Sequence, residues 1–340
     1  MRVEGTKYRD LITIENLFQA YFEFRKDKRK KYDVQLFERN LEDNLFELHR
    51  LLKTRTYRHS SYQEFYVNDP KRRHIHKAQV SDRIVHHLLY KYLYELFDKS
   101  FIYDSYSCRN NKGTHRAVKR LELFARKVSR NYTRDFWALK LDIKRFFESI
   151  NHDILLDLIR TKIQNEDIIW LIQNVLNSFH LPTRSRKGIP LGNLTSQIFA
   201  NIFMNQFDQF IKHKVKMKYY LRYADDFTIL SEDKDFLFSC IDTSRYFLRA
   251  KLNLELHPEK IVLRKLSWGI DFCGYIILPH YILTRTKTKR RMLRKIEERA
   301  KDYYRGEIDK FCFDQTLASY FGYLLHSNSF KLKKKIYFRI

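Results

Sequence analysis

The chain has 340 residues, with 66 Lys+Arg against 40 Asp+Glu and a formal net charge of +26. Only 8 residues are Gly and 5 are Pro, which excludes a collagen-like or linker-like chain, while 44% hydrophobic residues can bury a large core. The charge points to a polyanion, most simply nucleic acid, and 23 Tyr and 27 Phe among the Lys and Arg suit stacking on bases. No apolar run approaches the roughly 18 residues of a membrane span, and no signal-peptide pattern opens the chain. Cys108, Cys240, Cys273 and Cys312 form no CxxC pair, which argues against a disulfide scaffold or a cysteine zinc site. A cytoplasmic chain without a membrane partner is expected.

In chain order, residues 12–24 are amphipathic and lead into a basic cluster at 25–31. Apolar spacing predicts a helix over 34–52; residues 62–67 have strand composition, and Asp69-Pro70 marks a turn. Ile84/Val85, Leu88/Leu89, Tyr92/Leu93 and Leu96/Phe97 predict a helix by their four-residue repeat. Residues 138–143 alternate like a strand entering a core, and Asn151 then caps a helix carrying Ile154, Leu155, Leu158 and Ile159. A further helix is expected after Gly192, two short strands about a tight turn over 219–230, a helix over 237–252 and strand over 269–278. Residues 285–305 hold 10 Lys/Arg against 3 Asp/Glu and read as a basic amphipathic helix. This mixture implies an α+β protein.

Two adjacent acids, Asp225 and Asp226, interrupt strand formers, so pairing the flanks puts both carboxylates at a hairpin tip. Adjacent carboxylates repel unless a cation neutralises them, and hard oxygen ligands select Mg²⁺. Asp142 ends a hydrophobic strand, where a charge is costly unless paired or metal-bound. Together the three acids suit a two-metal centre for phosphoryl transfer. His74, His76, His86 and His87 lie close in sequence without a supporting Cys or acid and are read as packing or RNA-contacting residues.

These residues carry a family resemblance. Tyr223-Ala224-Asp225-Asp226 resembles the Tyr-x-Asp-Asp signature of reverse transcriptases, and Asp142 with Phe147 five residues on resembles their first palm motif. In the same order, Asp82-Arg83-Ile84-Val85 and Ser105-Tyr106-Ser107-Cys108-Arg109 through Gly113 are similar to finger motifs of the bacterial enzymes. Gly188-Ile189-Pro190-Leu191-Gly192 resembles the loop before the helix under the nucleotide. Leu256-His257-Pro258-Glu259-Lys260 resembles the motif bearing a palm lysine, and Gly269 to Tyr275 resembles the primer grip. Leu191, where most bacterial members have Gln, and Ser196-Gln197, where they have Ser-Pro, resemble the enzymes of diversity-generating retroelements more than retron or group II intron enzymes. With the last residue at 340, no maturase or endonuclease domain is expected.

The resemblance implies a right-hand polymerase: an N-terminal helical, basic extension (1–60), fingers (61–135), a palm with the catalytic site (136–280) and a basic helical thumb (281–340). It implies that Asp142, Asp225 and Asp226, with the Ile143 carbonyl, hold two Mg²⁺ ions, for which Mn²⁺ can substitute. Phe147 is then the gate against a ribose hydroxyl. Arg73 and Arg109 grip the dNTP triphosphate, with Arg72, Lys77 or Arg83 as substitutes for Arg73, and Lys260 protonates pyrophosphate. Leu191 and Gly192 line the dNTP site. Tyr223, Ser196, Gln197, Gly274, Arg290 and Arg291 contact RNA template and DNA or RNA primer. The implied activity is error-prone, adenine-mutagenic copying of a template-repeat RNA in a bacterial or phage-infected cell, aided by a small basic oligomeric accessory protein. A retron- or defence-type enzyme, or a non-catalytic RNA-binding protein on a polymerase scaffold, are the alternatives; Phe147 disfavours an RNA-dependent RNA polymerase.

Overall fold

A computed structural model describes residues 5–69, 71–179 and 186–337. Pro70 of the expected turn lies outside them. The described chain forms two compact units. The first draws on residues up to Arg109, on Ile143–Lys216 and on Ser244–Pro258; the second draws on Asn110–Asp142, Met217–Thr243 and residues from Glu259 onward.

The first unit is mainly helical. The four-residue apolar repeat forms the helix Val80–Phe97, which buries Ile84, Val85, Leu88, Leu89, Leu93, Leu96 and Phe97 against the helices Ile14–Arg25 and Leu194–Gln209. The expected helix over 34–52 is two, Tyr32–Glu38 and Leu41–Lys53, because Asn40 between them leaves helical backbone (φ −126°, ψ 52°). Asn151 caps the helix His152–Arg160 as expected, its side chain accepting from the amides of Asp153 and Ile154. One antiparallel hairpin completes this unit: β1 (Gln63–Val67) pairs with β2 (Arg73–Lys77). The sequence pattern does not mark β2 as a strand, because Arg-His-Ile-His-Lys offers one β-branched residue among four polar ones.

The second unit is built on an antiparallel four-stranded sheet. β3 (Trp137–Asp142) lies between β5 (Asp226–Ser231) and β6 (Val262–Lys265), and β4 (Tyr220–Tyr223) pairs with the outer side of β5. Ala138, Leu139 and Leu141 of β3 are buried, as are Phe227 to Leu230 of β5, so the sheet centre is closed on both faces. The run 269–278 is a hairpin, β7 (Ile270–Phe272) and β8 (Tyr275–Leu278), extended by β9 (Tyr281–Thr284) into a three-stranded sheet. The basic stretch forms the helix Thr286–Tyr304, whose Met292 and Ile296 pack with Leu324 and Ile336 from the two helices that follow.

Tyr275 and Tyr323 fasten the hairpin to the C-terminal helices. Their rings stack 4.6 Å apart, the Tyr275 hydroxyl donates to the Tyr323 carbonyl, and the Tyr323 hydroxyl donates to the Gly274 carbonyl. That approach explains Gly274: its φ is +87°, and a Cβ there would stand 2.6 Å from the Tyr323 hydroxyl. Among the described residues, no helix is long and apolar enough to cross a membrane.

Candidate active site

The second unit gathers the acids. The β3–β5 register places Asp142 directly opposite Asp226. β4 and β5 pair up to Tyr223 and Asp226, leaving Ala224 and Asp225 as the turn, with Ala224 at φ +57°. Beneath the turn lies Arg222, fully buried, whose guanidinium donates to the Ala224 carbonyl at 2.9 Å. The Tyr223 hydroxyl shares a 3.0 Å hydrogen bond with the Thr114 hydroxyl, so it is partly committed within the unit.

Two lysines answer the carboxylates. Lys140 Nζ lies 2.8 Å from one oxygen of Asp226 and donates to the Asp271 carbonyl at 3.2 Å. Lys260 donates to Asp142 at 2.7 Å while its side chain stays 45% exposed. The other Asp226 oxygen, Oδ1, is buried and has no hydrogen-bond partner among the described residues. Burial pushes the Asp226 carboxyl up to about 6; Lys140 opposes the rise, while Asp142 and Asp225 add to it. An orphaned carboxylate oxygen beside two further carboxylates fits a hard divalent cation such as Mg²⁺.

Sequence reasoning missed Lys140, although the two-residue period of β3 puts it on the same face as Asp142. It also missed Arg222, because an arginine inside a strand reads as a surface residue until the turn above it is known. Gly274 occupies the β7–β8 turn, Arg290 is exposed on the basic helix and Arg291 is half-buried there.

The first unit gathers residues expected to meet the nucleotide. The Ile189 amide donates to the Phe147 carbonyl and the Gly188 amide to the Ile150 carbonyl, both at 2.8 Å. On its other side the loop meets β2: the His76 amide donates to the Leu191 carbonyl at 3.0 Å, and the Asn193 side chain donates to the His76 carbonyl at 2.9 Å. Gly192 is required here, since its φ is +107° and a Cβ would stand 2.9 Å from Ile75 Cγ2. Phe147 is half-buried beside Phe146, Ile143 is buried and bridged to Leu256, and Gln197 is half-buried in the first turn of the helix Leu194–Gln209.

The expectations for Arg109 and Ser196 need correction. Arg109 does not offer a free guanidinium: it donates to the Asp98 carboxylate and to the carbonyls of Asp98, Ile102 and Ser105, and only 7% of its side chain is exposed. Its charge organises the 98–109 segment. Ser196 is buried with its hydroxyl donated to the Pro190 carbonyl at 2.7 Å, so it ties the loop to its helix and does not face a template. The substitutes for Arg73 also narrow, because Lys77 and Arg83 both pair with Asp33 and Arg72 covers the Tyr66 ring. Arg73 is exposed at the start of β2. His86 is a packing residue, fully buried and bonded through Nδ1 to Thr195. His74 and His76 do have a supporting acid after all: Glu64, brought across the β1–β2 pairing.

Residues 68–277 match the family described as reverse transcriptase (RNA-dependent DNA polymerase). Among curated proteins the chain is similar to protein YkfC of Escherichia coli (22% identity, 58% of this chain and 61% of that protein). It is also similar to the group II intron-encoded protein LtrA of Lactococcus lactis (23% identity, 69% and 50%). The chain thus spans at most about three-fifths of the length of these relatives. Its fold is similar to telomerase structures from Candida tropicalis (TM-score 0.51, 14% identity, 71% of this chain and 59% of that one) and Candida albicans (0.52, 10%, 72% and 51%), the latter in complex with a fragment of telomeric RNA.

The upward shift of Asp226 has a thermodynamic consequence. A carboxyl whose folded pKa lies near 6 against an ordinary 3.8 destabilises the fold once ionised, from about pH 4 upward and fully above about 6. Asp226→Asn is therefore expected to raise metal-free stability at neutral pH by on the order of 1–3 kcal/mol. Thermal melts of the two proteins across this range should converge below about pH 4; a variant less stable than wild type at neutral pH would contradict the assignment.

Proposed function

Because the chain belongs to the reverse transcriptase (RNA-dependent DNA polymerase) family, we propose that it copies an RNA template into DNA at Asp142, Asp225 and Asp226. The observation that carries this reading is the pairing of Asp142 with Asp226 beside the orphaned Oδ1. Two Mg²⁺ ions, or Mn²⁺ in their place, would when bound supply Lewis acidity to an attacking 3′-hydroxyl and a leaving pyrophosphate. The three aspartates and the Ile143 carbonyl would hold them.

The remaining roles belong to the chain itself. Lys260 delivers a proton to pyrophosphate. Lys140 keeps Asp226 ionised and aimed before substrate arrives. Arg73 grips the triphosphate, Phe147 excludes a ribose hydroxyl, and Leu191 and Gly192 line the base and sugar. Tyr223, Gln197, Gly274, Arg290 and Arg291 contact template and primer. In this reading residues 61–135 act as fingers, 136–280 as palm and 281–340 as thumb, behind an N-terminal extension at 1–60.

Within the family, Leu191 supports a diversity-generating enzyme that copies template adenines with errors. A Leu can only pack where a Gln would hydrogen-bond, and the lost polar contact relaxes discrimination by about 1–2 kcal/mol. The partner set is then a template-repeat RNA, dNTPs and a small basic oligomeric accessory protein, bridged to this +26 chain by RNA in the bacterial cytoplasm. Similarity to the intron-encoded protein favours a second reading, an enzyme acting on an intron RNA. Flanking DNA separates the two: a repeat pair differing mainly at adenines supports the first, intron RNA ends the second.

Two assays test the proposal. Mg²⁺-dependent dNTP incorporation on poly(rA)/oligo(dT) is expected from the wild type and should fall at least a thousandfold in Asp225→Ala; equal incorporation by both would refute the site. Leu191→Gln should retain polymerisation and lower misincorporation opposite template adenine roughly tenfold, read by sequencing the cDNA. Unchanged adenine errors would remove Leu191 from the account.

A further inference from the structure

The β1–β2 hairpin carries a second set of metal-type ligands, apart from the carboxylates of the four-stranded sheet. Its register sets Glu64 opposite His76 and Tyr66 opposite His74. The two-residue period of a strand turns all four side chains to one face. There Glu64 meets both imidazoles: one carboxylate oxygen lies 3.0 Å from His74 Nε2, the other 3.8 Å from His76 Nε2. One ligand atom from each of the three lies within 4.8 Å of the others.

Packing holds the donors in place. Tyr66 stacks on His74 with ring centroids 4.6 Å apart and planes within 10°, and Arg72 covers the Tyr66 ring. His76 is wedged edge-on against Phe179 and Tyr62, leaving its side chain 12% exposed, whereas the Glu64 side chain is 57% exposed. The cluster is thus rigid on its inner side and open to an arriving ion on its outer side.

We propose that Glu64, His74 and His76 bind a zinc-type transition-metal dication. Two imidazoles and one carboxylate suit Zn²⁺ and its first-row neighbours, whereas Mg²⁺ prefers an all-oxygen set. Three protein donors leave a position for water. His76 Nδ1 is buried without a hydrogen-bond partner among the described residues, and ligating histidines that lack an outer acceptor bind more weakly. Reversible occupancy follows, as opposed to a permanent structural ion.

The site has a consequence for the loop beside it. His76 is the residue whose amide and carbonyl hold Leu191 and Asn193, and Ile75 fills the space above Gly192. An ion that clips β1 to β2 stiffens the strand on which this loop is registered, so occupancy tunes the rigidity of the loop.

The test uses the full chain in excess Mg²⁺. Zn²⁺ is titrated against a chromophoric chelator, Co²⁺ binding is followed by visible absorption, and melting temperature is recorded with and without Zn²⁺. Wild type should bind one Zn²⁺ that Glu64→Gln and His74→Gln each weaken at least tenfold. Co²⁺ should give ligand-field bands in wild type that both variants lose, and Zn²⁺ should raise the melting temperature of wild type alone. Glu64 is exposed and His74 half-buried, and melts without Zn²⁺ verify that the variants fold. Equal Zn²⁺ stoichiometry and affinity in all three proteins, or no Zn²⁺ bound by wild type, would overturn the proposal.

Discussion

The register of β3 on β5 sets Asp142 against Asp226, and much of the nearby chemistry answers the repulsion this creates. Like charges directly opposite one another across a sheet are destabilising, and burial sharpens the cost. Lys260 meets Asp142 and Lys140 meets Asp226, yet one Asp226 oxygen remains buried and without a hydrogen-bond partner among the described residues. Removing that carboxylate would relax the fold, so its presence carries a cost in stability. Lys140 has a second attachment, to the Asp271 carbonyl of β7, which ties the three-stranded sheet to the same carboxylate. Through Gly274, Tyr275 and Tyr323 that sheet is in turn fastened to the C-terminal helices.

The first unit uses a different device, backbone hydrogen bonding. The 188–193 loop is held through carbonyls of Phe147 and Ile150 on one side and through His76 on the other, while the Ser196 hydroxyl tethers Pro190. Main-chain anchoring leaves the Leu191 side chain out of the holding contacts. Position 191 can therefore vary without loss of the loop, which is the condition under which its chemistry can be set by function.

Periodic features were legible in the sequence. The four-residue repeat of Val80–Phe97 and the Asn151 cap produced the elements they predict, because both depend on residues within one turn of each other. The acids at 142, 225 and 226 were legible as a group because charges at the ends of apolar strands stand out. What stayed hidden depends on pairing between distant segments. Glu64 becomes a partner of His74 and His76 only once β1 and β2 are in register, and β2 itself is too polar to announce a strand. Arg109 and Ser196 sit in family-like motifs, but nothing local reveals that Asp98 and Pro190 consume their polar groups.

The central claim is that the facing aspartates form one shared cation site. Mn²⁺ titration of the full chain, read by electron paramagnetic resonance in a Glu64→Gln background, tests it most directly. Two Mn²⁺ ions with a spin-coupled signal are expected, with loss of that coupling in Asp142→Asn. Two uncoupled ions, or coupling that survives Asp142→Asn, would contradict it.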